Sequence, residues 1–571
     1  MVMKNRKIPF SNIFIAVAFF LVAMPCMNAQ EINPTVEVSR RFEASLKEIH
    51  KSYMKPVIPD SLLMDGVDFS YSVFGRKYGA GDDFVPRRFG TVNLPDGKKE
   101  PVFVLSVAAG LPLSSSASLD LAIPCGKDFY LTVYGDHDGY FGRLDRLSVG
   151  DYGEIVRTGW PYKSMLMSNS AGVSGGYAWK GGRLHFRAGY DGIMSENESI
   201  SRRFNSFVAD FGIVSHRDDE DYFYYDINAH YGYADDWIVP VPATGHANAG
   251  IKENSFDFTA VIGPVFKRYH RITAGISLEF AKYDDYRSLM LFNVGFTPQY
   301  RYARDRWNIG AGIRFSKAFV QETAMPGVAP SGANATNWIF PAVDVSFEAV
   351  RGYLWLNAAV DGGNAVNLYS DAVGRYPYLY PSGNAGTAFT DFTVIPYRMS
   401  FSIAGNVKSR FSYDLYLRYG KVEGLPAFAM DGDCPYLTYT LSSGLFTAGA
   451  SLSWKSERVE AHAGVEYDDY SVTSADRGEL LPPAFKGSAS VEYNWRKRFF
   501  ISVGADFAGE WGSVAYKVPG WVDLHVGAEY CFSKKFSVFL SAGNLLNDSI
   551  QFQPLQALPG INFMAGVCLK L

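Results

Sequence analysis

Beyond its first thirty or so residues, the 571-residue chain lacks any apolar run long enough for a membrane-spanning helix, which needs roughly 18 or more consecutive apolar residues. Charged residues are scarce, at 20%, and the formal net charge is only −4. That balance excludes a nucleic-acid binder, which presents a basic face. The chain has five cysteines. After Cys26, the remaining four (Cys125, Cys434, Cys531 and Cys568) are scattered without metal-site spacing. No disulfide framework is expected, at most one incidental bridge. Catalytic groupings are missing too. His137, between Asp136 and Asp138, reads as a solvated strand end beside a loop, and His462 and His525 read as polar residues of a wet interior. The chain is therefore not expected to be an enzyme, and no cofactor is expected. Asp431-Gly432-Asp433, Asp284-Asp285 and Asp468-Asp469 fall short of a calcium loop's ligand count and read as outer-rim surface charge.

What the chain has in abundance is aromatic and small residues. Aromatics make up 15%, with 36 tyrosines, and glycine numbers 55. The N-terminus reads as a secretory signal, residues 1–29. Lys4, Arg6 and Lys7 precede a short apolar stretch from Ile13 to Met24, and Ala29 offers a small residue before Gln30. Pro25 before Cys26 argues against lipidation, which needs a small residue there.

From about residue 102 the chain alternates apolar and polar residues in short runs. Phe446, Ala448, Ala450, Leu452 and Trp454 alternate with Thr447, Gly449, Ser451 and Ser453. Val459 to Tyr467 and Val522 to Phe532 follow the same rule, with Glu460, His462, Glu466, Asp523, His525 and Glu529 on one face only. Such a period of two marks strands with one face on lipid and one on a wet lumen. The runs are separated by short turns, such as Lys180 to Arg183 and Lys455 to Arg458, alternating with longer polar and aromatic loops. Counting both kinds of connection yields twenty-two strands, so residues 102–571 are expected to form an all-β, antiparallel transmembrane barrel. Trp454, Tyr467, Tyr470, Trp495 and Phe532 at strand ends suit interfacial girdles.

The chain's end is its most specific feature. A strand from Phe536 to Ala542 leads into Gly543-Asn544-Leu545-Leu546-Asn547-Asp548. A loop then reaches Pro559-Gly560-Ile561-Asn562-Phe563, and a last strand runs to Leu571. The motif Asn544, Leu545, Asn547, Pro559, Gly560 and Phe563 resembles the closing hairpin of TonB-dependent outer-membrane receptors. That resemblance implies a barrel whose last strand pairs with the first, in the outer membrane of a Gram-negative cell.

The N-terminal part departs from that family. Between signal and first strand lie only about 70 residues (30–101), where such a receptor carries a plug of well over a hundred. This periplasmic extension reads as a partial plug at most. Within it, Thr35, Val36, Glu37 and Val38 form a β-prone segment resembling the strand that these receptors offer to TonB, or to another periplasmic protein, by edge pairing. Arg41 to Met54 has helical periodicity through Phe42, Leu46, Ile49 and Tyr53, and Pro56 stops it.

Three functions remain open: an uptake or binding receptor for an unidentified solute, a passive channel, and a non-transporting scaffold in an outer-membrane complex. The expected partners are outer-membrane lipid, TonB or another periplasmic or surface protein, and a small-molecule or glycan ligand. The aromatic outer stretches Arg375 to Pro381 and Tyr436 to Tyr439 carry the glycan expectation.

Overall fold

A computed structural model describes residues 102–571, apart from 127, 216–220, 241–248, 285–287, 324–333, 380–391, 408–409, 432–433, 440–442, 473–479 and 514. The Thr35–Val38 segment and the rest of the N-terminal extension lie outside the described residues. Twenty-two strands form one sheet. It closes because Phe103–Leu111 pairs on one edge with Ser114–Pro124 and on the other with the last strand, Asn562–Lys570. Closure leaves no strand edge to meet lipid. Among the described residues no helix is long and apolar enough to cross a membrane; the closed sheet is an architecture that can span an outer membrane with strands.

The expected alternation holds in register. In Asn562–Lys570, Phe563, Ala565 and Val567 are exposed while Met564, Gly566 and Cys568 are buried. Gly110 to Ser116 is a tight hairpin turning at Pro112 and Leu113. Phe539 breaks the pattern in Phe536–Gly543 by standing among the lumen residues, where it is buried with Ala108, Met564 and Cys568. Its ring lies across Gly566, where any Cβ would come within 2.3 Å of it. The missing side chain at Gly566 is what lets the phenyl ring seal the inside of the seam.

Wall height is uneven. Strands beside the seam are short: Phe536–Gly543 has 8 residues and Asn562–Lys570 has 9. Across the barrel, Tyr222–Pro240 has 19 and Ala249–Phe266 has 18. A tilted strand needs about 9–11 residues to cross the hydrocarbon. The short turns keep the periplasmic rim compact, so the surplus length stands on the outer side. The lumen is lined by paired charges. Arg398 holds Asp361 with two hydrogen bonds of 2.9 and 2.8 Å, and Lys486 bridges Glu466 at 2.8 Å and Asp468 at 3.0 Å.

Two residue assignments change. Asp468 is not outer surface charge but a buried lumen group, bonded to Thr447 and Lys486. Tyr470 belongs to the same lumen-facing set rather than to a girdle, because it lies an odd number of residues beyond Tyr467. Trp454, Tyr467, Trp495 and Phe532 are exposed on the outside as expected.

Candidate functional site at the outer mouth

The outer loop that follows Leu354–Val366 turns inward and carries a short helix, Tyr369–Arg375. The helix has no side-chain cap of its own. Glu253, from Ala249–Phe266 several strands away around the barrel, supplies one. Its Oε2 accepts the backbone N–H of Tyr369 at 2.7 Å and of Ser370 at 3.2 Å, and its Oε1 accepts the Ser370 hydroxyl at 2.6 Å. Tyr283 donates to the same carboxylate at 2.8 Å. A carboxylate on the first N–H groups of a helix meets both the orphan donors and the dipole.

The chain after the helix is held by Arg202. Its side chain is 0% exposed and donates to Asp236 at 3.1 Å. The other guanidinium nitrogens donate to the carbonyls of Pro377, at 2.8 Å, and of Leu379. Tyr369 donates its hydroxyl to Asp236 at 2.5 Å, which closes the cluster. A guanidinium fork suits this task, since its donors are rigidly spread over several acceptors. Burial raises the phenol of Tyr369 well above its ordinary value and pushes that of Tyr376 up to about 12. Both therefore remain neutral.

Several other outer loops interlock among the described residues. Gln553 donates to the Tyr378 carbonyl at 3.3 Å, and Arg157 donates to the Asn547 carbonyl at 2.5 Å. Lys517 donates its backbone N–H to Gly153 at 2.9 Å, Leu481 to Gly512 at 3.3 Å, and Leu480 to Phe428 at 2.6 Å. Phe428 then packs edge-on against Tyr376, with ring centroids 4.8 Å apart. These contacts run from the 367–379 loop around the mouth and back to it. Beneath them, one apolar cluster joins Phe204, Tyr283, Phe340, Tyr369, Val373, Leu379, Phe428, Leu480 and Trp511.

Of the aromatic outer stretches, Tyr378, Leu379 and Leu437 face inward rather than offering a stacking surface. Tyr378 is buried, with its hydroxyl 2.9 Å from that of Ser164, and Leu379 and Leu437 are core residues. These side chains lock the mouth. His137 is also relocated: it sits within Phe129–Leu144, not at a loop, with its ring nitrogens bonded to Ser115 at 2.9 Å and Asn169 at 2.7 Å. His462 and His525 pair with Glu460 and Asp506 across the lumen face.

The closing-hairpin residues are brought together as one turn. Asn544 and Asn547 have φ of 45° and 52°, left-handed values that asparagine tolerates better than most residues. The Asn544 amide donates to the carbonyls of Asp548 at 2.9 Å and Pro559 at 3.1 Å, and its oxygen accepts the Asp548 N–H at 2.8 Å. Leu545 donates its N–H to the Leu524 carbonyl at 2.9 Å. The Asn547 side chain accepts from Ile561 at 3.3 Å and lies so close to Gly560 that a Cβ there would clash. Phe563 then emerges facing lipid. Arg202, Asp236 and Glu253 escaped sequence reasoning. They sit on a lumen face already expected to be polar, and no local spacing ties them to a helix more than a hundred residues away.

A closed 22-strand antiparallel sheet defines the class of large transmembrane β-barrels. No family model matches the chain, and no curated protein matches its sequence. Solved structures of similar fold are numerous in this class. The copper transporter OprC superposes with a TM-score of 0.62 at 12% identity, covering 82% of each chain. The FrpB iron transporter from Neisseria meningitidis gives 0.61 at 11%, covering 83% of this chain and 81% of that one. The siderophore receptor PiuA from Acinetobacter baumannii gives 0.59 at 11%, covering 83% and 82%. The chain thus has the barrel fold of TonB-dependent outer-membrane receptors.

Proposed function

We propose that the protein is an outer-membrane uptake receptor, gated at its outer mouth, that takes a solute into a polar lumen. The observation that carries this reading is the inward-turned helix held by Arg202 and Glu253 beneath a ring of joined loops. An open passive channel has no use for such a buried clamp. The named neighbours are transporters and receptors by their own titles, which agrees with uptake and leaves the solute of this chain unassigned. In this reading residues 30–101 enter the lumen from the periplasmic side, and Thr35–Val38 offer TonB an edge strand.

The test is conductance and permeability. Wild-type barrel in planar bilayers should give little current, and cells expressing it should resist large antibiotics. The double variant Arg202→Ala/Glu253→Ala should assemble normally and raise both current and antibiotic entry. Unchanged values in an assembled double variant would remove the gate, and a scaffold role would then lead.

A further inference from the structure

Three polar side chains meet on the outward side of the barrel wall beside the seam. Ser115 comes from Ser114–Pro124, His137 from Phe129–Leu144 and Asn169 from Tyr162–Trp179. In register His137 stands between Ala117 and Asn169, and Ser115 stands opposite Gly139. They share the outward side with the exposed Val107, Phe141 and Tyr190, while Ser114, Ser116, Tyr140 and Leu166 at alternate positions are buried. On Phe129–Leu144 the other outward positions from Leu131 to Phe141 are Val133, Gly135 and Gly139, and charge begins only at Arg143, opposite Lys163. His137 is therefore a polar group set inside an apolar band. Polar side chains at membrane depth are costly and mark functional positions.

The three are joined in one order. His137 Nδ1 lies 2.7 Å from Asn169 Oδ1. That oxygen only accepts, so Nδ1 carries the ring proton and donates it. Nε2 is left with its lone pair toward the Ser115 hydroxyl, which donates to it at 2.9 Å. A serine on the lone pair of an imidazole whose other nitrogen is held by a third group is the arrangement that activates a nucleophile. An amide as the third group orients the ring without placing a charge among apolar side chains. Room for a substrate adjoins the reacting atoms. At Gly139 a Cβ would stand 2.7 Å from Ser115 Oγ and 3.3 Å from His137 Nε2, so the glycine keeps that space free. Ala109, the register partner of Ser115 on its other side, opens an apolar groove of about 510 Å³ across the seam. Leu111, Leu540, Ala542, Phe563 and Ala565 line it.

We propose that Ser115, His137 and Asn169 form a second, catalytic site that hydrolyses an ester-linked acyl chain of a membrane lipid. The outward position of the triad and the apolar groove beside it select that substrate class. Ser115 Oγ attacks the ester carbonyl carbon, and a C–O bond forms as the hydroxyl proton passes to His137 Nε2. Collapse of the tetrahedral adduct breaks the ester C–O bond, and His137 returns the proton to the leaving alcohol oxygen. Water then attacks the acyl-serine. Its proton passes through His137 to Ser115 Oγ as the fatty acid departs. Sequence spacing does not announce this grouping, because its members lie on three different strands. The inference does not rest on the uptake reading, since the site is on the opposite side of the wall from the lumen.

The experiment uses the full chain, expressed in a host without an outer-membrane lipase of its own and purified in mild detergent. Heat-modifiable gel migration checks that each barrel is folded. Fatty acid release is measured by mass spectrometry from mixed micelles of an ester-linked diacyl phospholipid, its ether-linked analogue, or an ester-acylated glycolipid. Wild-type protein should release fatty acid from one or both ester lipids, which assigns the source, and none from the ether analogue. Ser115→Ala and His137→Ala should reduce release at least about 100-fold. Gly139→Val should do the same by filling the space beside the serine, whereas Leu119→Ala, elsewhere on the outward side, should not. An alkyl fluorophosphonate should label wild-type protein at Ser115 and leave His137→Ala unlabelled. Release from neither ester lipid, release that persists in Ser115→Ala, or no label at Ser115 would overturn the proposal. Should a variant fail to fold, the position of the label on wild-type protein decides alone.

Discussion

Arg202 shows how much one side chain carries. It is buried, pairs with Asp236, and donates to the carbonyls of a loop more than 170 residues away. Removing one partner of a buried charge pair costs about 3–5 kcal/mol, because the other charge stays buried alone. Arg202→Ala should therefore loosen residues 367–379 without unfolding the barrel. Hydrogen exchange should rise in that loop and stay unchanged in the seam strands. Arg202→Lys should not rescue it, since one ammonium cannot span Asp236 and two carbonyls. Tyr376 adds a pH dependence. Burial pushes its phenol up to about 12, above the ordinary value of 10.0. A group whose folded value is raised contributes stability below its unfolded value and loses it as pH rises through the folded one. Loop closure should accordingly be constant through neutral pH and weaken only above about pH 10. Tyr376→Phe should reduce that alkaline step in an exchange titration, the remainder belonging to the buried phenols of Tyr369 and Tyr378 in the same loop.

At the scale of the element, alternation decides which substitutions are tolerated. Leu452 faces outward from Ser443–Lys455 and is 41% exposed, whereas Ser451 faces the lumen. Leu452 lies between the midplane, where a lipid-facing arginine costs ~2–4 kcal/mol, and the girdle at Trp454, where it costs about 0–1, so Leu452→Arg should cost roughly 1–3 kcal/mol. Ser451→Arg should be much milder. Equal assembly of the two variants in outer-membrane vesicles would contradict the register. The closing hairpin offers a second check. Asn544 combines a left-handed backbone with three hydrogen bonds from its side chain. Asn544→Ala loses both and should slow assembly, whereas Leu546→Ala, at an exposed position, should not. These elements were legible in advance, because a period of two and an Asn-Leu-x-Asn turn are local signals. Tyr470 obeys the same rule, since a three-residue step from Tyr467 crosses to the lumen face.

For the whole molecule, the question is what fills and energises the barrel. A barrel of this strand number leaves a wide lumen that something must occlude. If residues 30–101 provide part of that occlusion, deleting 31–95 with the signal retained should leave a folded barrel. Its conductance should rise further when Arg202→Ala is added. If Thr35–Val38 pairs with TonB, Val36→Pro should abolish energy-dependent uptake with barrel levels unchanged, because proline removes a ladder donor. Wild-type growth and wild-type crosslinking to TonB in Val36→Pro would displace the energised reading.

By itself the sequence determined the strand number, the two faces of each strand, the membrane and the closing turn. All of these rest on neighbours within a few residues of one another, where alternation and turn chemistry act. The mouth was decided only by the tertiary structure. Nothing local announces that Glu253 caps a helix at Tyr369, or that Tyr378 points into a core rather than toward a sugar. Those contacts exist because closing the sheet brings distant outer ends to one rim. There, buried carbonyls and helix N–H groups must find partners wherever the chain supplies them.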